Sequence, residues 1–157
     1  MTEAESHITP QQYTFFRHWL VAAGSLEGLL THILASAGLS MSEYRVLVVL
    51  DEAPDKRLRM SALASVALQS PSRSSHTITR MEGRGWVSRQ SNDDDRRVVY
   101  VTLTPAGAAI LGRARPRYQA AVRRAFIDAV GADQIGALDA AMRRVIAATA
   151  GASVVLD

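Results

Sequence analysis

Apolar residues recur every three or four positions over most of the chain, the spacing of one face of an α-helix. The first such segment opens at Thr9-Pro10, a cap residue followed by proline, with Gln12 placed to close a capping box, and it runs for about 25 residues. It carries two apolar stripes: Tyr13, Phe16, Leu20, Ala23, Leu30 and Leu34, and Phe15, Trp19, Ala22, Leu26, Leu29 and Ile33. Because one small core cannot cover so wide an apolar arc, we expect another subunit to cover the rest.

Three shorter helices are predicted next. Ser40 and Glu43 form a capping box for the second helix, Met60–Leu68 is the third, and Ser70-Pro71 opens a fourth that ends at Gly85. The inward positions of the fourth helix are Ser74, Thr77, Ile78 and Met81. Serine and threonine are frequent in the fourth helix although they do not favour helix formation. We therefore expect them to be present for a reason other than helix stability.

The remaining pattern predicts a hairpin and two long helices. Strands are expected at Trp86–Gln90 and Val98–Leu103, a fifth helix from Thr104-Pro105 to Gly131, and a sixth over Asp133–Ala148. The predicted fold is mainly α with a small β-hairpin: a winged helix–turn–helix flanked by long helices. We expect residues 1–157 to form a single domain, with the winged helix–turn–helix over 39–104 and the flanking helices over 9–37 and 105–150.

Composition and charge narrow the function. A chain of 157 residues without cysteine excludes disulfide scaffolds, thiolate zinc sites and cysteine nucleophiles. Nine of its 18 basic residues lie in residues 56–97, where only four residues are acidic, and all basic residues except Lys56 are arginine. Arginine's planar fork binds phosphate and guanine in a bidentate manner, so this cluster indicates a polyanionic partner, double-stranded DNA.

Candidate DNA contacts follow from the helix–turn–helix order, because the second helix of the pair lies in the major groove. Its outward side chains and its first turn supply Ser70, Ser72, Arg73, Ser75, His76, Thr79 and Arg80. The hairpin tip supplies Arg96 and Arg97, which can reach an adjacent backbone or minor groove. A solvated helix face is the alternative interpretation of the outward set.

Several motifs resemble the MarR family of bacterial transcriptional regulators. They are the run Leu58–Ala64, the entry Ser70-Pro71-Ser72, the segment Arg80–Val87, and Asp95-Arg96-Arg97 followed by Leu103-Thr104-x-x-Gly107. The resemblance covers residues 12–150. It implies a homodimer whose first, fifth and sixth helices interlock, so that residues 9–37 and 105–150 form a helical dimerisation region and residues 39–104 form the DNA-binding lobe. It also implies a pseudo-palindromic operator, and a hairpin in which Asp95 orients Arg97 in the minor groove. Ser74 and Thr77 occupy positions where family members commonly have Val or Leu. His76 occupies a position where many members have Arg.

The resemblance further implies a repressor released from DNA by a small aromatic or lipophilic effector bound between the dimer helices and a lobe. Candidate pocket residues are Phe15, Phe16, His18, Trp19 and Tyr44, for which plain core and dimer packing is the alternative. The alternative function is an effector-independent or architectural DNA-binding protein, with weak sequence preference.

Other classes of function are disfavoured. Ser75 and His76 are adjacent and point in different directions, so no nucleophile–base pair is evident and we expect no enzyme. The histidines lack metal-ligand spacing and Asp93–Asp95 lacks the pattern of a calcium loop, so we expect neither metal nor cofactor. The longest strongly apolar run is Val46–Leu50, and acidic residues precede any apolar stretch; we therefore expect a cytoplasmic protein, nucleoid-associated when bound to DNA, with no membrane partner.

Overall fold

The computed structural model describes residues 7–66, 71–91 and 98–149. The helices are α1 (Pro10–Ser36), α2 (Met41–Glu52), α3 (Met60–Val66), α4 (Pro71–Gly83), α5 (Pro105–Val122), α6 (Asp128–Val130) and α7 (Ile135–Thr149), and the strands are β1 (Arg57–Arg59), β2 (Val87–Ser91) and β3 (Val99–Leu103). The predicted fold class, mainly α with a small sheet in a winged helix–turn–helix, is confirmed. The chain forms two compact units, residues 1–119 and 120–157.

Both predicted capping boxes are present. The Gln12 backbone N–H donates to Thr9 Oγ1 at 3.2 Å, and the Thr9 N–H donates to Gln12 Oε1 at 2.7 Å. Ser40 and Glu43 repeat this exchange at 3.2 and 2.7 Å. Each box satisfies two N–H groups that the first turn of a helix leaves without a partner, which is why α1 and α2 begin where they do.

Helix α4 is held against the core by the predicted side. Ser74, Thr77, Ile78 and Met81 are all buried. The helix ends because Gly85 adopts a positive φ of 70°, where L side chains are strained. The chain then turns directly into β2, so helix and hairpin are joined by a short, fixed connection.

The sheet has three strands in the order β1-β3-β2, all antiparallel. Strands β2 and β3 form the predicted hairpin, with Val87 opposite Leu103 and Ser91 opposite Val99. Strand β1 corrects the expectation of two strands. Its three residues, Arg-Leu-Arg, are too few to show an alternating pattern, and only pairing with β3 makes them a strand.

One hydrophobic core joins the helices of the first unit to the sheet. Its members are Leu34, Leu39, Tyr44, Val46, Leu47, Leu50, Leu63, Ile78, Met81, Val87, Val101, Leu103, Ile110, Leu111 and Ala114. Asp51 on α2 adds polar ties, because its carboxylate pairs with Lys56 at 2.9 Å and with Arg115 of α5 at 2.7 Å. The core therefore packs α3 and α4 against α2, the sheet and α5.

The second unit contains the end of α5, a π-helical segment at Arg123–Ile127, α6 and α7. The predicted break at Gly131 is confirmed, with a φ of 87°. The sixth predicted helix corresponds to α7, which begins two residues later than Asp133. Large apolar side chains of this unit are exposed on the single chain: Phe126, Ile127, Val145 and Ile146.

Candidate nucleic-acid interface

The outer face of α4 carries hydroxyl, imidazole and guanidinium groups. We define the outer face of α4 as six exposed residues: Ser72, Arg73, Ser75, His76, Thr79 and Arg80. They occupy the predicted outward positions, opposite the buried side of the helix. The helix therefore presents a continuous surface of hydrogen-bond donors and acceptors on a fixed support, as direct contact with base edges requires.

Arg80 and Thr79 of this outer face bind partners within the chain. Arg80 Nε donates to Glu43 Oε1 at 2.8 Å, and Glu43 is almost completely buried, with 3% of its side chain exposed. Thr79 Oγ1 donates to the Ser75 carbonyl at 3.0 Å. Arg80 keeps half of its side chain exposed, so its position is fixed from below while part of it faces solvent.

Glu43 links the start of α2 to the end of α4. Besides Arg80, its carboxylate accepts from the Ser40 backbone N–H and lies 3.7 Å from Arg84 Nη1. Burial alone raises the pKa of Glu43, but the hydrogen bonds from Ser40 and Arg80 outweigh burial and lower that pKa overall. The carboxylate therefore stays ionised and holds α4 by charge-assisted bonds.

Arg84 strengthens this joint between helices. Its Nη1 donates to the Gly38 carbonyl, just after α1, at 3.1 Å, and its guanidinium lies 4.8 Å from the centre of the Trp86 ring. Together with Glu43, it connects the α1–α2 junction to the end of α4.

Arg89 is a functional residue that the sequence pattern missed. Its Nη2 donates to Thr79 Oγ1 at 2.9 Å and to the Ser75 carbonyl at 3.1 Å, and its Nη1 lies 3.4 Å from Glu82. It therefore ties β2 to α4. The alternation of side chains along a strand was the available signal. Arg89 lies two residues after buried Val87 and therefore on the same side of β2.

The other predicted DNA contacts lie outside the described residues. These are Ser70, at the entry to α4, and Asp95, Arg96 and Arg97, at the hairpin tip. Their roles stay predictions. The described strands end at Ser91 and begin again at Val99, which pair with each other.

The predicted pocket residues occupy two different environments. Phe15, Phe16, His18 and Trp19 are exposed on α1, where the Phe16 and Trp19 rings stack with centroids 5.8 Å apart. Tyr44 is buried in the core, with its ring centroid 4.3 Å from that of Tyr118. Tyr44 thus packs against α5, as the alternative of plain core packing described.

An open cavity of about 430 Å³ lies between the end of α1 and α5. It is lined by Ser36, Ala37, Ile110, Arg113 and Arg117. None of these is a predicted pocket residue. The two guanidinium groups beside the apolar side chains of Ala37 and Ile110 suit an amphipathic anion.

Among the described residues, no group of three or more His, Cys, Asp or Glu side chains could hold a metal ion. Helix α1 is long and apolar enough to cross a membrane by length and composition alone, and little of it is buried within the chain. Either a membrane or a second subunit could cover the exposed apolar surface of α1, and the class of the protein indicates which.

The fold and the site define that class. A helix pair whose second helix exposes polar groups, followed by a strand hairpin, is a winged helix–turn–helix, the architecture of DNA-binding regulators. The model of the MarR family matches residues 39–99. This segment contains α2, β1, the helix pair and β2, and it ends at the first residue of β3.

Two solved structures match almost the whole chain, and a transcriptional repressor matches 70% of it. AbsC, a MarR family transcriptional regulator from Streptomyces coelicolor, is 35% identical with a TM-score of 0.89, and the match covers 93% of this chain and 99% of AbsC. Sco3205, a MarR family transcriptional regulator from the same organism solved in complex with DNA, is 34% identical with a TM-score of 0.88 and 96% of both chains covered. The HTH-type transcriptional repressor YetL of Bacillus subtilis is 28% identical over 123 residues, 70% of this chain and 72% of YetL. The chain belongs to the MarR family, and it is a transcriptional regulator rather than an enzyme.

Proposed function

We propose that this protein is a dimeric repressor that binds double-stranded DNA in a sequence-specific manner. The observation that carries the proposal is the outer face of α4, a polar surface on a helix anchored by buried side chains and by the Glu43–Arg80 pair. The structure of Sco3205 with DNA and the repressor name of YetL support it. In this proposal α4 lies in the major groove.

The outer face divides into two roles. Ser72, Arg73, Ser75 and His76 contact bases and phosphates, because hydroxyl, imidazole and guanidinium groups match the acceptors of base edges and backbone. Thr79 and Arg80 fix the helix, since their polar atoms bind Ser75, Arg89 and Glu43. Arg80 also contributes a positive charge at the surface.

The entry to α4 and the hairpin tip complete the proposed interface. Ser70 lies just before α4, where free N–H groups at a helix start bind phosphate. Arg96 and Arg97 contact the adjacent backbone and minor groove, and Asp95 orients Arg97. This arrangement adds electrostatic affinity to the base contacts made by α4.

The homodimer forms through the helices outside residues 39–104, namely residues 9–37 and 105–150. The support is the exposed apolar surface of α1, which includes Tyr13, Phe15, Phe16, Trp19, Leu20, Val21 and Leu29. A continuous apolar surface on one helix is typical of a subunit interface. Two copies then present two α4 helices to a pseudo-palindromic operator.

A second subunit explains the apolar surface of α1 without a membrane. The family relationship favours this covering, because the characterised relatives are transcriptional regulators. We accordingly propose a cytoplasmic location, with association with the nucleoid when the protein is bound to DNA.

A small-molecule effector is part of the proposal. The α1–α5 cavity supports it, because about 430 Å³ is within the range of ligand sites and two arginines face it. An amphipathic carboxylate or phenolate fits this lining. The alternative is an effector-independent or architectural DNA-binding protein, which requires neither a ligand nor strong sequence preference.

Fluorescence anisotropy with DNA from upstream of the protein's own gene tests the proposal. We expect affinity for that DNA to exceed affinity for a scrambled duplex by about 10³-fold or more, since specific regulators reach this ratio. Equal affinities would favour the architectural alternative. Addition of aromatic carboxylates and phenols then tests whether a ligand releases the DNA.

His76→Ala tests base reading by α4. We expect it to lower affinity for the specific DNA more than for the scrambled duplex, because a base contact adds discrimination. The matched variant is Thr31→Ala, an exposed polar position on α1, for which both affinities stay unchanged. Equal losses of His76→Ala on both duplexes would exclude base reading by this residue.

A further inference from the structure

The solvent side of the sheet carries a cluster of three residues that none of the predicted contacts includes. Strand β1 pairs with β3 so that Arg59 lies opposite Tyr100 and Arg57 lies opposite Thr102. Because side chains alternate along a strand, both arginines share the face opposite to Leu58, which packs against the core. We call Arg57, Arg59 and Tyr100 the sheet cluster.

Both guanidinium groups converge on one aromatic ring. Arg57 Cζ lies 4.2 Å from the centre of the Tyr100 ring, and Arg59 Cζ lies 5.9 Å from it. Arg59 Nε also approaches Tyr100 Oη at 3.4 Å. The ring therefore holds two long, flexible cations in fixed positions, which reduces the conformational entropy that a bound anion would have to offset.

The electrostatics of the sheet cluster favour an anion. Two positive charges repel each other, and neither Arg57 nor Arg59 has a carboxylate partner among the residues that the structure describes. The hydrogen bond from Arg59, together with its positive charge, lowers the pKa of Tyr100 from its ordinary value. A phosphate group would relieve the repulsion and could accept hydrogen bonds from both guanidinium groups.

The position of the cluster selects the source of that phosphate. Strand β1 continues directly into α3, the first helix of the helix–turn–helix, and β3 returns from the hairpin tip. Along the chain, the cluster thus lies between the helix–turn–helix and the hairpin, and the proposed function brings α4 and the hairpin tip to DNA. A backbone phosphate at the edge of the operator is the anion that this position would meet.

We propose that Arg57, Arg59 and Tyr100 form a phosphate-binding site for the DNA backbone, outside the contacts of α4 and the hairpin tip. The proposal rests on the proposed function, since it requires a DNA-bound state. The site adds affinity without sequence preference, because a phosphate contact positions the protein and does not read bases.

The salt dependence of DNA binding tests the site. For the double variant Arg57→Gln/Arg59→Gln, we expect equal loss of affinity for operator and scrambled duplex. We also expect the slope of log K against log salt concentration to become shallower by about one, because one backbone phosphate is no longer neutralised. Arg57→Lys/Arg59→Lys keeps the charges and should retain the steeper slope, which separates charge from a folding defect.

Arg45→Gln/Lys56→Gln is the matched control, because it removes two positive charges from residues 39–104 that belong to no proposed DNA contact and no proposed subunit contact. The site is refuted by an unchanged slope in Arg57→Gln/Arg59→Gln, by an equal change in the control, or by a loss confined to the operator. Each of these results leaves operator binding by the unaltered protein intact. Failure of the unaltered protein to distinguish the operator would instead refute the proposed function.

Discussion

Two buried polar residues beneath α4 differ in how well their hydrogen bonds are satisfied. Glu43 accepts bonds from Ser40 and Arg80, and its charge is compensated. Ser74 is also buried, and its Oγ has no hydrogen-bond partner among the residues that the structure describes. A satisfied buried charge holds the helix, whereas an unsatisfied hydroxyl loosens it, so the two residues have opposite expected effects on stability.

Glu43→Gln should lower the free energy of unfolding at pH 7 by about 1–2 kcal/mol, because glutamine keeps the capping box and loses the charge-assisted bond to Arg80. The folded-state pKa of Glu43 lies below its ordinary value of 4.5. Its contribution is therefore present above pH 4.5 and is lost as the pH falls through the folded-state pKa. Urea titrations at several pH values should show the difference closing in acid.

The matched control for Glu43 is Glu52→Gln, at an exposed position of the same helix, which should change stability by less than about 0.5 kcal/mol. A difference between wild type and Glu43→Gln that stays constant down to pH 3 would contradict the assigned role of the charge.

Ser74→Ala should stabilise the protein, because it removes a buried hydroxyl that has lost its contacts with water. Ser75→Ala, next to it on the exposed side, corrects for the better helix propensity of alanine. We expect Ser74→Ala to exceed Ser75→Ala in stability by about 1 kcal/mol in urea titrations. A Ser74→Ala variant less stable than wild type would show that the hydroxyl has a partner in solution.

At the scale of elements, the sequence predicts well whatever depends on local chemistry. The capping boxes at Thr9 and Ser40 set the starts of α1 and α2, and the glycines at 85 and 131 end helical segments, because these signals act within a few residues. Strand β1 and the bonds of Arg89 were not predicted. They depend on partners in β3 and α4 that are distant in the chain, and three residues carry no period of their own.

Gly107 shows how a local motif can encode contact between elements. It lies in the first turn of α5, and its N–H donates to Thr104 Oγ1 at 3.1 Å. An added Cβ would lie 2.1 Å from the Trp86 carbonyl oxygen, which belongs to the backbone and cannot move aside. The resemblance to Leu-Thr-x-x-Gly therefore has a steric cause, the close approach of α5 to the connection between α4 and β2.

Gly107→Ala should destabilise the protein by at least about 3 kcal/mol, because the backbone must shift to admit the methyl group. Gly112→Ala on the same helix meets nothing within 4 Å and should stabilise it by up to about 1 kcal/mol. Thermal unfolding of the two variants compares them directly. Similar melting temperatures would mean that α5 and the connection before β2 are not packed as closely as described.

At the scale of the whole molecule, charge and apolar surface are segregated along the chain. Residues 1–55 carry seven acidic and two basic residues, whereas residues 56–97 carry nine basic and four acidic residues. The apolar surface of α1 lies in the acidic part, and the helix pair lies in the basic part. This separation suits a protein that binds a second subunit through one region and a polyanion through another.

The proposed dimer makes Leu20 a sensitive position, since 48% of this apolar residue is exposed on the single chain. Leu20→Glu would bury an uncompensated charge in the subunit interface, so it should sediment as a monomer of 17.0 kDa where the unaltered protein has twice that mass. Ser25→Glu adds the same charge on the polar side of α1 and should leave the dimer intact. Because two linked lobes bind an operator far more tightly than one lobe, Leu20→Glu should also lose most of its affinity for the operator. Sedimentation of the unaltered protein as a monomer, or of both variants as dimers, would remove α1 from the subunit interface.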